Sequence, residues 1–262
     1  MLDRLFSRIV YLLNHTLFKH YTYTIRFGFM KGLKREGGFG FVSQLLPMTV
    51  EERFLNGLDL AGKTVYDVGG FVGILTLFFA KSVGNGRVVT FEPNPENYER
   101  ICEHVRMNHS TNVEVIKVGI GRERTVGVLW FNPAYPAQGS FRQSIQKRIM
   151  RDRTSKSIET VVDSIDNQIA LNSLPKPDFV KIDVEGLEFD VLLGMAETIK
   201  QYGPSIYVEL HSAGGIEKAE NAYEVVRLLE GYRYSLYHVE SGKAISLANM
   251  QVASEGHLYA WR

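Results

Sequence analysis

From about residue 61 onward, short runs of β-branched and aromatic residues alternate with stretches whose apolar positions recur at helical spacing. That alternation is the pattern of a mostly parallel sheet covered by helices. Residues 64–69, 87–92, 113–118, 178–183 and 205–210 read as five successive strands, and Pro93 stops the second of them. Helices are expected over 74–81, 95–108, 187–200 and 217–230, and two further strands close the chain near 232–239 and 257–262. The expected fold class is therefore α/β, a doubly wound, Rossmann-like sheet of seven main strands. Residues 126–131 also have strand character, but only a handful of residues separate them from the 113–118 run. A parallel crossover needs a dozen or more, so this piece must pair antiparallel or stand apart.

Residues 1–60 precede the sheet and look mostly helical, with glycines at 28, 32, 37, 38 and 40 breaking the second half into a loop or hairpin. The reading divides the chain near Leu60 into an N-terminal extension or substrate cap, 1–60, and a main domain, 61–262. Within the latter, Arg142, Lys147, Arg148, Arg151, Arg153 and Lys156 stand against Asp152, giving a basic insert near 132–156 that interrupts the crossover to the fourth strand. Such runs are usually solvated surface. On the 95–108 helix, Tyr98, Ile101, Cys102 and Val105 follow the spacing of one buried face, which makes Cys102 a packing residue.

Composition narrows the function classes. Cys102 is the only cysteine of 262 residues, so an intramolecular disulfide and a cysteine-rich metal site are excluded. A net charge of +1 gives no general case for nucleic acid or for a strongly acidic partner. The first 36 residues are locally basic, with Arg4, Arg8, Lys19, Arg26, Lys31, Lys34 and Arg35 against Asp3 and Glu36. The apolar run 9–13 is too short for a secretory core or a membrane span, so a soluble, cytoplasmic protein is expected. The first helix could touch a membrane surface by its apolar face, although a helix docked on its own domain has the same pattern.

The chemistry gathers at strand ends. Asp67-Val68-Gly69-Gly70-Phe71-Val72-Gly73 follows the first strand and opens a helix, where glycines let backbone N–H groups approach a ligand in the crevice beyond the carboxyl ends of the strands. A pyrophosphate is disfavoured, because Asp67 would repel it; a carboxylate there suits a positive amino group, such as that of the methionine part of S-adenosylmethionine. Glu92 ends the second strand about 20 residues on, where an acidic side chain grips a ribose diol. Lys181-Ile182-Asp183-Val184-Glu185-Gly186 brings two more carboxylates to the same crevice, with capping of the following helix as their other reading. Glu209 and His211 end the fifth strand and are further acid–base candidates, equally open to a core or surface role.

These segments, together with Phe91-Glu92-Pro93-Asn94-Pro95-Glu96-Asn97 and Val208-Glu209-Leu210-His211, occur in an order that resembles the FkbM family of S-adenosylmethionine-dependent methyltransferases over roughly residues 60–211. The resemblance implies a class I methyltransferase sheet with its last strand antiparallel, S-adenosylmethionine as cofactor, and O-methylation in the biosynthesis or decoration of natural products and glycans. It implies that Asp67, Gly69, Gly70 and Gly73, with Phe71, hold the methionine part. Glu92 would take the ribose, Pro93 and Asn94 would lie by the adenine, and Gly119 with Ile120 would line its other side. Asp183 would mark where methyl meets acceptor. Gly70-Phe71 replaces the Ala-Asn usual in the family, so any contact from that asparagine is absent. A neutral alcohol must lose its proton as it attacks, and Glu185, Glu209 and His211 remain open as the base. Asp183, Glu185 and Glu209 could offer oxygen ligands, but no metal is demanded by their spacing.

Rival readings are a nicotinamide-dependent oxidoreductase on a similar sheet, an N-methyltransferase suggested by Asn132-Pro133-Ala134-Tyr135, and a binding protein that has lost catalysis. The oxidoreductase is disfavoured by Asp67 and by the lack of a Tyr-x-x-x-Lys pair, and the Asn-Pro-Ala-Tyr turn does not follow the fourth strand. Residues 1–60 and the basic insert are expected to shape the acceptor pocket, with Arg148, Arg151 and Arg153 suiting an anionic small molecule or glycan.

Overall fold

The computed structural model describes residues 21–37, 47–133, 135–211 and 216–262. The expected first helix and the apolar run 9–13 lie outside them. The hairpin form of the glycine-rich stretch is the one adopted. β1 (Thr22–Thr24) and β2 (Lys34–Glu36) pair antiparallel, and α1 (Val50–Asn56) follows, opened by a capping box in which Thr49 and Glu52 bond each other's backbone N–H.

The central sheet is built from β3 (Thr64–Val68), β4 (Arg87–Phe91), β5 (Val113–Ile116), β10 (Phe179–Ile182), β11 (Ser205–Glu209), β12 (Ser235–His238), β13 (Lys243–Ile245) and β14 (His257–Trp261). Its order is β13-β12-β14-β11-β10-β3-β4-β5. Neighbours from β5 to β11 are parallel, and β14 enters antiparallel between β11 and β12. The seven strands read from the sequence are all present, and the short edge strand β13 makes an eighth. This is the class I methyltransferase sheet.

Period-two alternation separates the two faces. Val65, Phe179 and Tyr207 pack under the hairpin, α1 and α2 (Ile74–Val83), while Tyr66, Val180, Ile206 and Val208 pack against α6 (Glu188–Leu193), α7 (Ala196–Tyr202) and α8 (Ile216–Gly231). The single helix expected over 187–200 is thus two, α6 and α7, broken at Gly194 and Met195. On α3 (Pro95–Met107) the buried face is Asn97, Ile101 and His104 rather than the one containing Cys102, which is only half-buried. The polar pair is tolerated inside because each finds hydrogen-bond partners there.

The basic insert is more ordered than its composition suggests. β6 (Gly119–Ile120), β7 (Thr125–Asn132), β8 (Tyr135–Ser140) and β9 (Lys156–Asp163) form a separate sheet in the order β6-β9-β7-β8, with β7 antiparallel to both neighbours. α4 (Gln143–Ile149) lies between β8 and β9, and α5 (Ile165–Asn172) leads back towards β10. Among the described residues, no helix is long and apolar enough to cross a membrane.

Candidate functional site

The glycine turn after β3 is held tightly before any ligand is considered. Gly69 adopts φ +81°, and a Cβ on it would stand 1.9 Å from the carbonyl oxygen of Asp183, so only glycine allows the β3 and β10 loops to meet. The N–H groups of Gly69 and Gly70 donate to the Phe91 carbonyl. Phe71 follows in the left-handed region at φ +51°, a conformation that a bulky residue keeps only when its surroundings enforce it. Its N–H donates to Glu92 Oε2 at 2.9 Å.

Glu92 is a junction of loops. Besides Phe71, it accepts from the Asn94 backbone at 2.9 Å and from the Asn97 side chain at 3.3 Å. Burial nevertheless outweighs these donors and pushes its carboxyl up to about 7. Asn94 spends its side chain capping α3, accepting from the Glu96 N–H.

A second junction is invisible in sequence. His104 of α3 hydrogen-bonds the Val72 carbonyl through Nδ1 at 2.7 Å and accepts the Glu36 N–H at Nε2, 3.1 Å. Burial lowers its pKa, and this donor–acceptor pair is what a neutral imidazole with its proton on Nδ1 provides. The glycine turn and the N-terminal hairpin are thereby tied through one ring.

Asp67 lies behind the cleft wall. Its carboxylate is fully buried beneath the turn, accepts from Thr76 Oγ1 at 2.6 Å, and lies 3.4 Å from Lys181 Nζ. Lys181 also donates to the Gly69 carbonyl at 2.8 Å and approaches Asp183 at 3.3 Å. Burial opposes the charge on Lys181, but Asp183 and Asp67 more than offset it and raise the ammonium to about 12. The carboxylate of Asp67 thus supports the turn through Thr76 and Lys181, while its Oδ1 accepts no hydrogen bond.

Gly69, Phe71, Glu92, Pro93, Asn94, Gly119, Ile120, Asp183, Glu185, Glu209 and His211 line one cleft of about 240 Å³, closed on the insert side by Leu129, Gly139 and Phe141. Asp67, Gly70 and Gly73 are not on its wall. Gly70 faces a second chamber, and Gly73, at φ +79°, is the residue from which α2 starts.

The acidic end of the cleft is organised around His211. Its Nδ1 stands 3.0 Å from Glu188 and 3.9 Å from Asp183, and its Nε2 3.4 Å from Glu209 and 3.9 Å from Glu185. Burial disfavours an imidazolium, but hydrogen bonds to Glu188 and Glu209, with the charge of Glu185, raise its pKa to about 11. His211 is therefore a cation at neutral pH. Glu209, despite burial, is held well below the usual carboxylate range by His211 and His257. Glu185 is the opposite case. Burial lifts it to about 7 against the pull of His211, and it sits in the left-handed region at φ +52°. Asp183, Glu209 and His211 can each offer one atom within a 4.8 Å cluster. His211 would have to lose its proton before it could ligate a metal.

Arg148, Arg151 and Arg153 are exposed and line none of these walls. The insert's contribution comes from Arg142, which donates to the Gly186 carbonyl and pairs with Glu217, and from the buried Ser140. Asn132 ends β7 and accepts from Thr154, and the rest of the Asn-Pro-Ala-Tyr turn includes positions outside the described residues. Sequence reading missed Lys181, His104 and Glu188 as organisers. Lys181 alone left a signal, as a lysine inside an apolar strand next to a nominated carboxylate.

Comparison with known proteins fits this geometry. Residues 67–236 match the methyltransferase FkbM domain. The chain belongs to the FkbM methyltransferase family. Two curated relatives are the hexuronic acid methyltransferase AglP of Haloferax volcanii, 30% identical over 149 residues, and methyltransferase 1 of Beauveria bassiana, 23% identical over 163 residues. These matches cover 56% and 58% of this chain and 56% and 66% of the relatives, less than two thirds of either. The solved FkbM methyltransferase of Methylobacillus flagellatus KT aligns with 84% of this chain and 46% of its own, at 17% identity and a TM-score of 0.49. The hairpin and α1, which this FkbM chain packs against α2 and the central strands, fall outside the matched domain.

Proposed function

We propose that this chain is an S-adenosylmethionine-dependent O-methyltransferase acting on a hydroxyl of a small molecule, sugar or glycolipid. One observation carries the reading: a single cleft joins the Glu92–Asn94–Gly119–Ile120 wall to the Asp183, Glu185, Glu209 and His211 cluster. The first wall suits a nucleoside, with a carboxylate facing the cleft to accept from two ribose hydroxyls. The cofactor supplies a methyl group as an electrophile when bound. Everything else falls to the side chains, which hold the acceptor oxygen in line and take its proton. Glu185 is the best-matched base, since a carboxyl raised to about 7 is both available and basic near neutral pH. His211, held protonated by the surrounding carboxylates, is a hydrogen-bond donor beside Glu185. The name of the Haloferax relative, a hexuronic acid methyltransferase, supports a sugar acid as the acceptor class to try first.

The test combines calorimetry with turnover of methyl-labelled S-adenosylmethionine on uronic acid glycosides. Glu185→Gln is expected to lower kcat roughly 100-fold or more and to abolish a rising pH limb near 7, with cofactor affinity unchanged. Binding of a nicotinamide dinucleotide in place of S-adenosylmethionine would overturn the reading.

A further inference from the structure

Beyond the cleft lies a second chamber of about 370 Å³, which meets it at Gly69, Phe71 and Asp183. Its far wall comes from the hairpin and α1, outside the FkbM match, and carries Arg35 and Glu51. Among the described residues two cations, Arg35 and Lys181, face this space, and they differ in what they already hold. Lys181 donates to Gly69 and is paired with Asp67 and Asp183. Arg35 has its Nε buried without a hydrogen-bond partner, and among the described residues no carboxylate forms an ion pair with it. Arg35 as a whole is half-buried, but a buried N–H donor left without an acceptor is costly and marks a place that an anion would satisfy.

The backbone at Arg35 is fixed from both sides. On one side Lys34 exchanges two hydrogen bonds with the Asn108 side chain, 2.7 and 2.8 Å. On the other, Glu36 bonds His104 through its N–H and Arg100 through its carbonyl. Arg35 is itself paired across the hairpin with Tyr23. His104 in turn holds the glycine turn through Val72, so the guanidinium and the turn share one rigid frame. Carboxylates complete the chamber: Asp183, a third exposed, and Glu51, whose pKa burial raises. One unpaired guanidinium with carboxylates beside it is the complement of a zwitterionic α-amino acid.

We infer that Arg35 receives the carboxylate of the cofactor's amino-acid end, with Asp183 and Glu51 facing its ammonium group. This rests on the S-adenosylmethionine reading. It makes the N-terminal hairpin part of the cofactor site, with Phe71 as the wall around which a ligand passes from the nucleoside cleft into the second chamber.

Calorimetry with two ligands tests it: S-adenosylhomocysteine, which has the amino-acid end, and methylthioadenosine, which lacks it. For Arg35→Gln we expect S-adenosylhomocysteine to weaken at least tenfold while methylthioadenosine stays within twofold of the wild type. Arg35→Lys should restore part of the loss, keeping the charge but not the planar fork. Unchanged S-adenosylhomocysteine affinity in Arg35→Gln overturns the assignment, and a higher KM for an anionic acceptor alongside it would give Arg35 to that substrate. Equal weakening of both ligands also overturns it, leaving Arg35 a role in the fold. If the wild type binds neither ligand, the cofactor reading itself fails and the inference falls with it.

Discussion

Glu92 combines two demands that pull its protonation apart. Three N–H donors favour the carboxylate, whereas burial favours the neutral acid and wins, leaving it at about 7. Ribose hydroxyls arriving at the cleft would add donors, and those stabilise the charged form. Binding should therefore lower the pKa of Glu92 and release a proton near neutrality, so cofactor affinity should rise as the pH goes from about 6 to 8. Calorimetry in buffers of different ionisation heat reads that proton directly, and Glu92→Gln should remove both the release and the pH slope. The same side chain affects folding with the opposite sign. An unfolded glutamate ionises near 4.5, so between there and about 7 the folded state holds the extra proton, and this contribution to stability falls as pH rises.

At the scale of elements, the loop after β10 depends on the insert. Ser140, at the end of β8, donates to the Glu185 carbonyl at 2.6 Å and accepts the Arg142 N–H at 3.0 Å. Ser140→Ala would leave two part-buried backbone groups short of a partner, a loss of about 1 kcal/mol in urea unfolding. It should also depress kcat, because Glu185 loses its anchor, while cofactor affinity holds. How much of this was legible differs by element. The parallel strands were, because strands buried on both faces are continuous apolar runs such as Phe179–Ile182. Of the insert's sheet only β7 was, as the strand-like run 126–131 that had to pair antiparallel or stand apart; six basic residues masked β9, although Ile158, Thr160 and Val162 alternate with the exposed Ser157 and Glu159. The carboxylates at strand ends could be nominated from position, but their partners could not. Lys181 reaches Gly69 across 112 residues, and the Glu36 N–H reaches His104 across 68. Only the folded sheet sets such pairings. The link from Asp67 to Lys181 was unreadable for the same reason.

For the molecule as a whole, the hairpin and α1 contribute Ile25, Met30, Leu33 and Leu55 to the same core as Leu77, Phe78 and Phe79 of α2. A ligand spanning the cleft and the second chamber therefore touches both the sheet and the N-terminal layer, and should stabilise them together. At 100 times its Kd, S-adenosylhomocysteine should add about 2.7 kcal/mol and raise Tm by roughly 5–10 °C, in one cooperative transition by scanning fluorimetry. A shift confined to an early, partial transition would indicate that the two layers unfold separately. The ring of His104 has a further bearing on how such an enzyme changes over evolutionary time. A substitution in the hairpin that suits a new ligand also strains the turn that carries the old one, so variation there would persist chiefly alongside compensating changes on α3. Exchanging N-terminal segments between family members should succeed more often when the helix bearing position 104 travels with them.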